Sequence, residues 1–77
     1  MLTDEELREN IRRNLIALRN EKGLTQSEVG EIVGKKATTI ASWEQGLSLP
    51  DLQTIYKLSV YYRKSLEYFY ENGSKKK

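Results

Sequence analysis

Lys36, Ala37, Thr38, Thr39, Ala41, Ser42 and Gln45 fall on the outward side of one short helical stretch, with Ile40 and Trp43 on the opposite side. Short hydroxyls, methyls and an amide at this spacing can hydrogen-bond to a partner surface or pack on it. They do not form the nucleophile–base pair that catalysis needs. The chain has no His and no Cys, and its acidic side chains read as helix caps and helix surface. An enzyme is not expected. Without Cys there is no disulfide or thiolate metal site, and a zinc site would rest on carboxylates alone, so neither a metal nor a cofactor is expected. What these residues can do is recognise.

Two helices packed around a tight turn would position them. Over residues 26–45, Val29, Val33, Ile40 and Trp43 are apolar at positions that converge inside such a corner. Gly30 stands where the first helix of the pair needs least bulk. Gly34 stands where that helix must stop in a left-handed conformation. Helix, glycine-containing turn and second helix describe a helix-turn-helix, whose second helix can enter a DNA major groove.

The other helices follow from caps and periodicity. Thr3 with Glu6 and Thr25 with Glu28 have capping-box spacing, and each opens a helix. Leu7, Ile11, Leu15 and Leu18 mark one apolar stripe down to about Lys22, with Gly23 as its stop. The reading helix is expected from about Ala37 to Gln45, ended by Gly46. Pro50 and Asp51 announce a fourth helix with Leu52, Ile55, Tyr56 and Leu58 at helical spacing, and a fifth begins after Ser65 and ends near Asn72 and Gly73. The expected architecture is all-α: one compact five-helix domain over residues 1–72 with an extended first helix. Residues 73–77 read as a basic, disordered tail.

Seventy-seven residues allow a single small core. Net charge is +2 but uneven. Residues 1–9 carry four acidic groups against one basic, residues 10–36 six basic against three acidic, and residues 37–71 four acidic against three basic. A basic side therefore leads into the helix-turn-helix, as phosphate contact requires. Nothing resembles a signal peptide or a membrane span, so a cytoplasmic protein with no membrane partner is expected.

From Asn14 to about Tyr70 the chain resembles the DNA-binding domain of the Cro/repressor (XRE-like) family of transcription regulators. The matching landmarks are Leu15 and Leu18 before Arg19, then Lys22, Gly23, Leu24, Thr25 and Gln26. Trp43, Glu44, Gln45, Gly46 and Pro50 follow, and Ser65, Leu66, Glu67, Tyr68 and Phe69 close the pattern. The resemblance implies a five-helix fold and a double-stranded DNA operator as partner. It implies phosphate contacts from Gln26, Lys35, Lys36, Gln45 and Ser48, and base contacts from Lys36, Ala37, Thr38, Thr39 and Ser42. Arg19 and Glu44 occupy the positions of an architectural ion pair between the first helix and the end of the third. Trp43 belongs to the core.

The chain departs from that pattern in three places. Lys35 and Lys36 replace a small apolar turn residue and the usual Ser or Thr cap, which weakens the start of the reading helix by about 1 kcal/mol. Leu47, Ser48 and Leu49 stand where basic residues often meet phosphate. Arg63 stands where a Gly commonly separates the last two helices, among more aromatics than so small a domain can bury. Exposed aromatic clusters mark association sites, and the family's last helices often form a two-fold contact. A homodimer through Tyr61, Tyr62, Leu66, Phe69 and Tyr70 is therefore expected, with the alternative that Phe69 is core, as its family position usually is.

The function implied is a sequence-specific transcriptional regulator, a repressor of the phage, mobile-element or restriction-system kind. A regulatory protein partner is one route for its control. The rival is a protein-binding module on the same fold, such as an antitoxin or adaptor. The Leu47–Leu49 segment, the acidic N-terminus and the Tyr cluster favour that reading.

Overall fold

The computed structural model describes residues 1–71, and these form five helices in the order expected. They are α1 (Asp4–Glu21), α2 (Gln26–Val33), α3 (Ala37–Glu44), α4 (Leu52–Tyr62) and α5 (Leu66–Tyr70). Among the described residues there is no strand. The expected tail, residues 73–77, lies outside the described residues.

Helix starts are written in the side chains. Thr3 Oγ1 accepts from the Glu6 N–H at 3.1 Å while the Thr3 N–H donates to Glu6 Oε1 at 2.9 Å. Thr25 and Glu28 repeat this reciprocal pair at 3.0 and 2.8 Å. Asp51 caps α4 by accepting from the Thr54 N–H at 2.8 Å, and Ser65 caps α5 by accepting from the Tyr68 N–H at 3.2 Å. Bonding to Thr54, helped by Lys35 nearby, holds the Asp51 carboxyl below its ordinary value. The exception is α3, where Lys36 occupies the cap position with extended backbone and no side-chain cap bond. The expected missing cap is present as a structural fact.

The core draws on every helix: Ile11, Leu15 and Leu18 from α1, Val29 and Val33 from α2, and Ile40 and Trp43 from α3. Ile55, Leu58 and Tyr62 come from α4, and Phe69 from α5. Burying so many side chains in so short a chain leaves little room for adjustment at the helix crossings. At α2–α3 the crossing is closest. A Cβ on Gly30 would lie 2.4 Å from the Lys35 carbonyl oxygen, so only glycine fits there without moving backbone. Gly34 then ends α2 at φ 75°, ψ 33°, in the left-handed region.

Leu52 and Tyr56 of α4 are exposed, because the buried stripe of that helix runs through Thr54, Ile55, Leu58, Ser59 and Tyr62. Tyr56 follows Ile55 and so points about 100° away round the helix. One expectation about packing is corrected, and it concerns the association surface. Tyr62 and Phe69, expected there, are core residues at 5% and 0% exposure. Burial also pushes the Tyr62 hydroxyl up to about 12. Neither side chain is available to a second copy.

Two amides of α1 fasten α5. Asn14, fully buried within the apolar stripe, points Nδ2 at the carbonyls of Tyr68 (2.8 Å), Phe69 (3.2 Å) and Glu71 (2.8 Å). Asn10 Nδ2 donates to the Tyr70 carbonyl at 3.0 Å. The carbonyls at the end of a helix lack intrahelical donors, and these amides supply them. One turn of the N-terminal extension thereby becomes part of the fold.

Candidate nucleic-acid interface

The orientation of α3 depends on a junction of three helices. Arg19 of α1 donates from Nε to Glu44 Oε2 at 2.7 Å and from Nη2 to Oε1 at 3.0 Å. Its Nη1 donates to the Leu24 carbonyl at 2.8 Å. Gln26, the first residue of α2, donates from Nε2 to Glu44 Oε1 at 3.0 Å. The Arg19 and Glu44 side chains are 18% and 7% exposed, so this is a bidentate pair largely out of water. Hydrogen bonding to Glu44 raises the Arg19 guanidinium above its ordinary value. Such a pair adds little net stability, because desolvation offsets the attraction, but it fixes angles. The paired Arg19 and Glu44 are where the sequence put them. The Gln26 bond was not anticipated: its amide belongs to the junction, with one Nε2 hydrogen committed to Glu44.

On the outer face of α3, Thr38 is exposed and Ala37, Thr39 and Ser42 are half-buried. Lys35 and Lys36, both exposed, stand at its N-terminal end, and exposed Gln45 stands at the other. Of the residues expected to meet bases, Ala37, Thr38, Thr39 and Ser42 thus lie together on α3, and Lys36 stands at its cap. Lys35 Nζ lies 3.9 Å from Asp51 Oδ2, a loose exposed pair that takes little from its charge. Beyond α3 the chain turns back: the Leu47 N–H donates to the Ser42 carbonyl at 3.0 Å, and the Ser42 and Ser48 hydroxyl oxygens are 2.7 Å apart. This hydroxyl pair has no signature in the sequence, since it depends on the path of the loop. Leu47 and Leu49 are 72% and 42% exposed.

The expected association residues divide. Tyr61 and Leu66 are exposed, Tyr70 is half-buried, and Tyr62 and Phe69 are internal. Tyr61 meets the Tyr62 ring edge-on at 5.3 Å. In place of the missing pair, α4 presents Leu52, Tyr56 and Val60 at four-residue steps, all exposed. An open groove beside them is lined by Leu52, Gln53, Tyr56, Lys57 and Leu66. Alternation at four residues was visible in the sequence, but not which stripe the core would take.

Among the described residues, no group of three His, Cys, Asp or Glu side chains is placed to hold a metal ion. Within the same residues, no helix is long and apolar enough to cross a membrane.

Comparison with known proteins agrees with this geometry. The model of the helix-turn-helix family matches residues 15–69, from the second half of α1 through Phe69 of α5. Over 57 residues the chain is 32% identical to multiprotein-bridging factor 1a of Arabidopsis thaliana, a match covering 74% of this chain and 40% of that protein. The match therefore spans about two fifths of the length of that relative. No solved structure matches. Five helices in order, a glycine-built corner and the family match across them place the chain in the helix-turn-helix family of Cro/repressor (XRE) type, a family of DNA-binding regulators.

Proposed function

We propose that the chain is a sequence-specific double-stranded DNA-binding transcriptional regulator, a repressor that lays α3 in the major groove of its operator and acts in the cytoplasm. The observation that carries this reading is the outward face of α3. It bears only short side chains, is flanked by two lysines, and is held at a fixed angle by the Arg19–Glu44–Gln26 junction. Thr38, Thr39, Ser42 and Ala37 offer hydroxyls and methyls to base edges, and Lys36 reaches guanine or phosphate. Gln26, through its second Nε2 hydrogen, joins Lys35, Gln45 and Ser48 on the backbone.

Two copies associate in this reading through the exposed apolar face of α4 and α5, that is Leu52, Tyr56, Val60, Tyr61, Leu66 and the edge of Tyr70. A two-fold there sets two reading helices about 34 Å apart, one turn of DNA. Only Lys35 and Lys36 among the phosphate contacts carry charge. A dimer thus neutralises about four phosphates, and its affinity should fall about a hundredfold between 50 and 200 mM salt. Selection from a random duplex pool, repeated across that salt range, tests the function. An enriched inverted repeat with half-sites about ten base pairs apart is expected. Failure of a folded protein to enrich any sequence at low salt overturns the reading.

Three observations favour a second reading, a protein-binding module of antitoxin or adaptor type. The same apolar groove and the 72% exposed Leu47 suit a protein partner, and the Arabidopsis relative is named for bridging several proteins. Binding through that face would be nearly indifferent to salt.

A further inference from the structure

The Ser42 and Ser48 hydroxyl oxygens are hydrogen-bonded at 2.7 Å, and either hydroxyl can be the donor. The backbone bond from Leu47 N–H to the Ser42 carbonyl holds the loop against α3, so the pair is kept together by geometry rather than by chance of rotamer. Both side chains are half-buried and each still meets the surface. Ser42 lies on the face that reads bases. Ser48 lies in the loop leaving α3, where a helix seated in the groove runs into the phosphodiester wall.

We propose that the pair is a polarity relay, in which Ser48 donates to a phosphate oxygen and accepts from Ser42, leaving Ser42 to meet the bases as an acceptor alone. The inference rests on the DNA-reading function above and names the class of base that Ser42 selects. A phosphate oxygen accepts hydrogen bonds and cannot donate one, so Ser48 must turn its own O–H toward it. Its remaining partner, Ser42, then has to supply the proton of the short contact. Ser42 is left with lone pairs only. In the major groove the donors it can meet are the amino groups of adenine (N6) and cytosine (N4). Guanine O6 and N7 and thymine O4 would face it acceptor to acceptor. A solitary serine rotates to suit either kind of base and discriminates poorly. Ser48 is thus a positioning residue for specificity, although it touches no base.

Duplex selection with the full chain and with Ser42→Ala, Ser48→Ala and Ser48→Thr tests the relay, with circular dichroism confirming that each is folded. Ser42→Ala should flatten one position of the half-site, and deleting the exocyclic amino group of the base pair favoured there (purine for adenine, 2-pyrimidinone for cytosine) should weaken binding of the unmodified chain by about three- to tenfold, whichever strand Ser42 faces. Ser48→Ala should reduce this loss to about twofold or less while leaving the rest of the half-site intact, and Ser48→Thr should keep it. The relay is overturned if Ser42→Ala flattens no position, if deleting the amino group there costs nothing, or if Ser48→Ala leaves that cost unchanged. Those results would leave DNA reading standing. No enrichment by any folded variant overturns the relay and the DNA-reading function together.

Discussion

All four helix-to-helix turns of this domain close with the same backbone hydrogen bond after a left-handed residue, and the turns after α2 and α4 do so with the most different residues. After α2, Gly34 takes the left-handed conformation at φ 75°, ψ 33°, and the next N–H, of Lys35, donates to the Gly30 carbonyl at 2.8 Å. After α4, Arg63 takes it at φ 59°, ψ 47°, and the next N–H, of Lys64, donates to the Ser59 carbonyl at 2.9 Å. Both are six-to-one closures of the same kind. The first is built with glycine at both ends, the second with glycine at neither. Ser59 has room for its side chain, whose hydroxyl folds back to donate to the Tyr56 carbonyl at 2.7 Å. At Gly30 no side chain has room. The α2–α3 corner is therefore tightly determined by its backbone, as a corner that aims a reading helix must be. The α4–α5 turn leaves room for side chains, α5 is fastened from α1 by the buried amides of Asn10 and Asn14, and the exposed apolar face lies on these two helices.

The sharpest way to break this contrast is Gly30→Ala. Its Cβ would meet backbone, which cannot rotate away, so α3 must shift bodily against α2. A loss of about 3 kcal/mol is expected, which for a domain of this size lowers Tm by roughly 12–24 °C. Thermal unfolding followed by Trp43 fluorescence would measure it. A change below about 1 kcal/mol would mean that the corner flexes as readily as the other turn, and that its tightness does not aim α3.

Asn14→Ala attacks the other region. It removes the amide facing three carbonyls at the end of α5 and leaves them in a site with little water, at a cost of about 2 kcal/mol. The loss should be local. Amide exchange of Leu66–Tyr70 should accelerate strongly, while the amides of α2 and α3 change by much less. Uniform acceleration across all five helices would show that the two regions unfold as one and that the distinction is only architectural.

Legibility in the sequence follows the same division. Thr3, Thr25, Gly30, Gly34 and Trp43 declare their roles because each rests on a local rule of caps, left-handed backbone or helical phase, and the Arg19–Glu44 pair was implied by resemblance. The α4–α5 end was misread because spacing gives the period of a helix and not which stripe faces in. Leu52 and Tyr56 look as apolar as Ile55 and Leu58, and only packing against α2 and α5 separates them. Asn14 went unnoticed for a related reason: a polar residue beside Ile11, Leu15 and Leu18 breaks an apolar count, although it is the most informative residue of that stripe. Gln26 and the Ser42–Ser48 pair depend on where distant or looping segments meet, which no local pattern encodes.

The smallest expected effect gives the most direct test, because it makes the two turns into mutual controls. Gly34→Ala places a Cβ in open space, with nothing within 4 Å, so its cost is the left-handed backbone alone, about 1 kcal/mol. Arg63→Gly runs the same exchange backwards at a turn of the same geometry. Relief of left-handed strain outweighs the added freedom of the unfolded chain, and a gain of about 1 kcal/mol is expected, or roughly 4–8 °C in Tm. Equal and opposite shifts in urea unfolding would show that residue type, not turn shape, distinguishes the two ends. A loss of stability in Arg63→Gly would mean that the arginine side chain does more at this turn than its backbone conformation costs. The left-handed arginine would then be a contact residue of the α4–α5 face, and that end of the molecule would be as purposefully built as the corner.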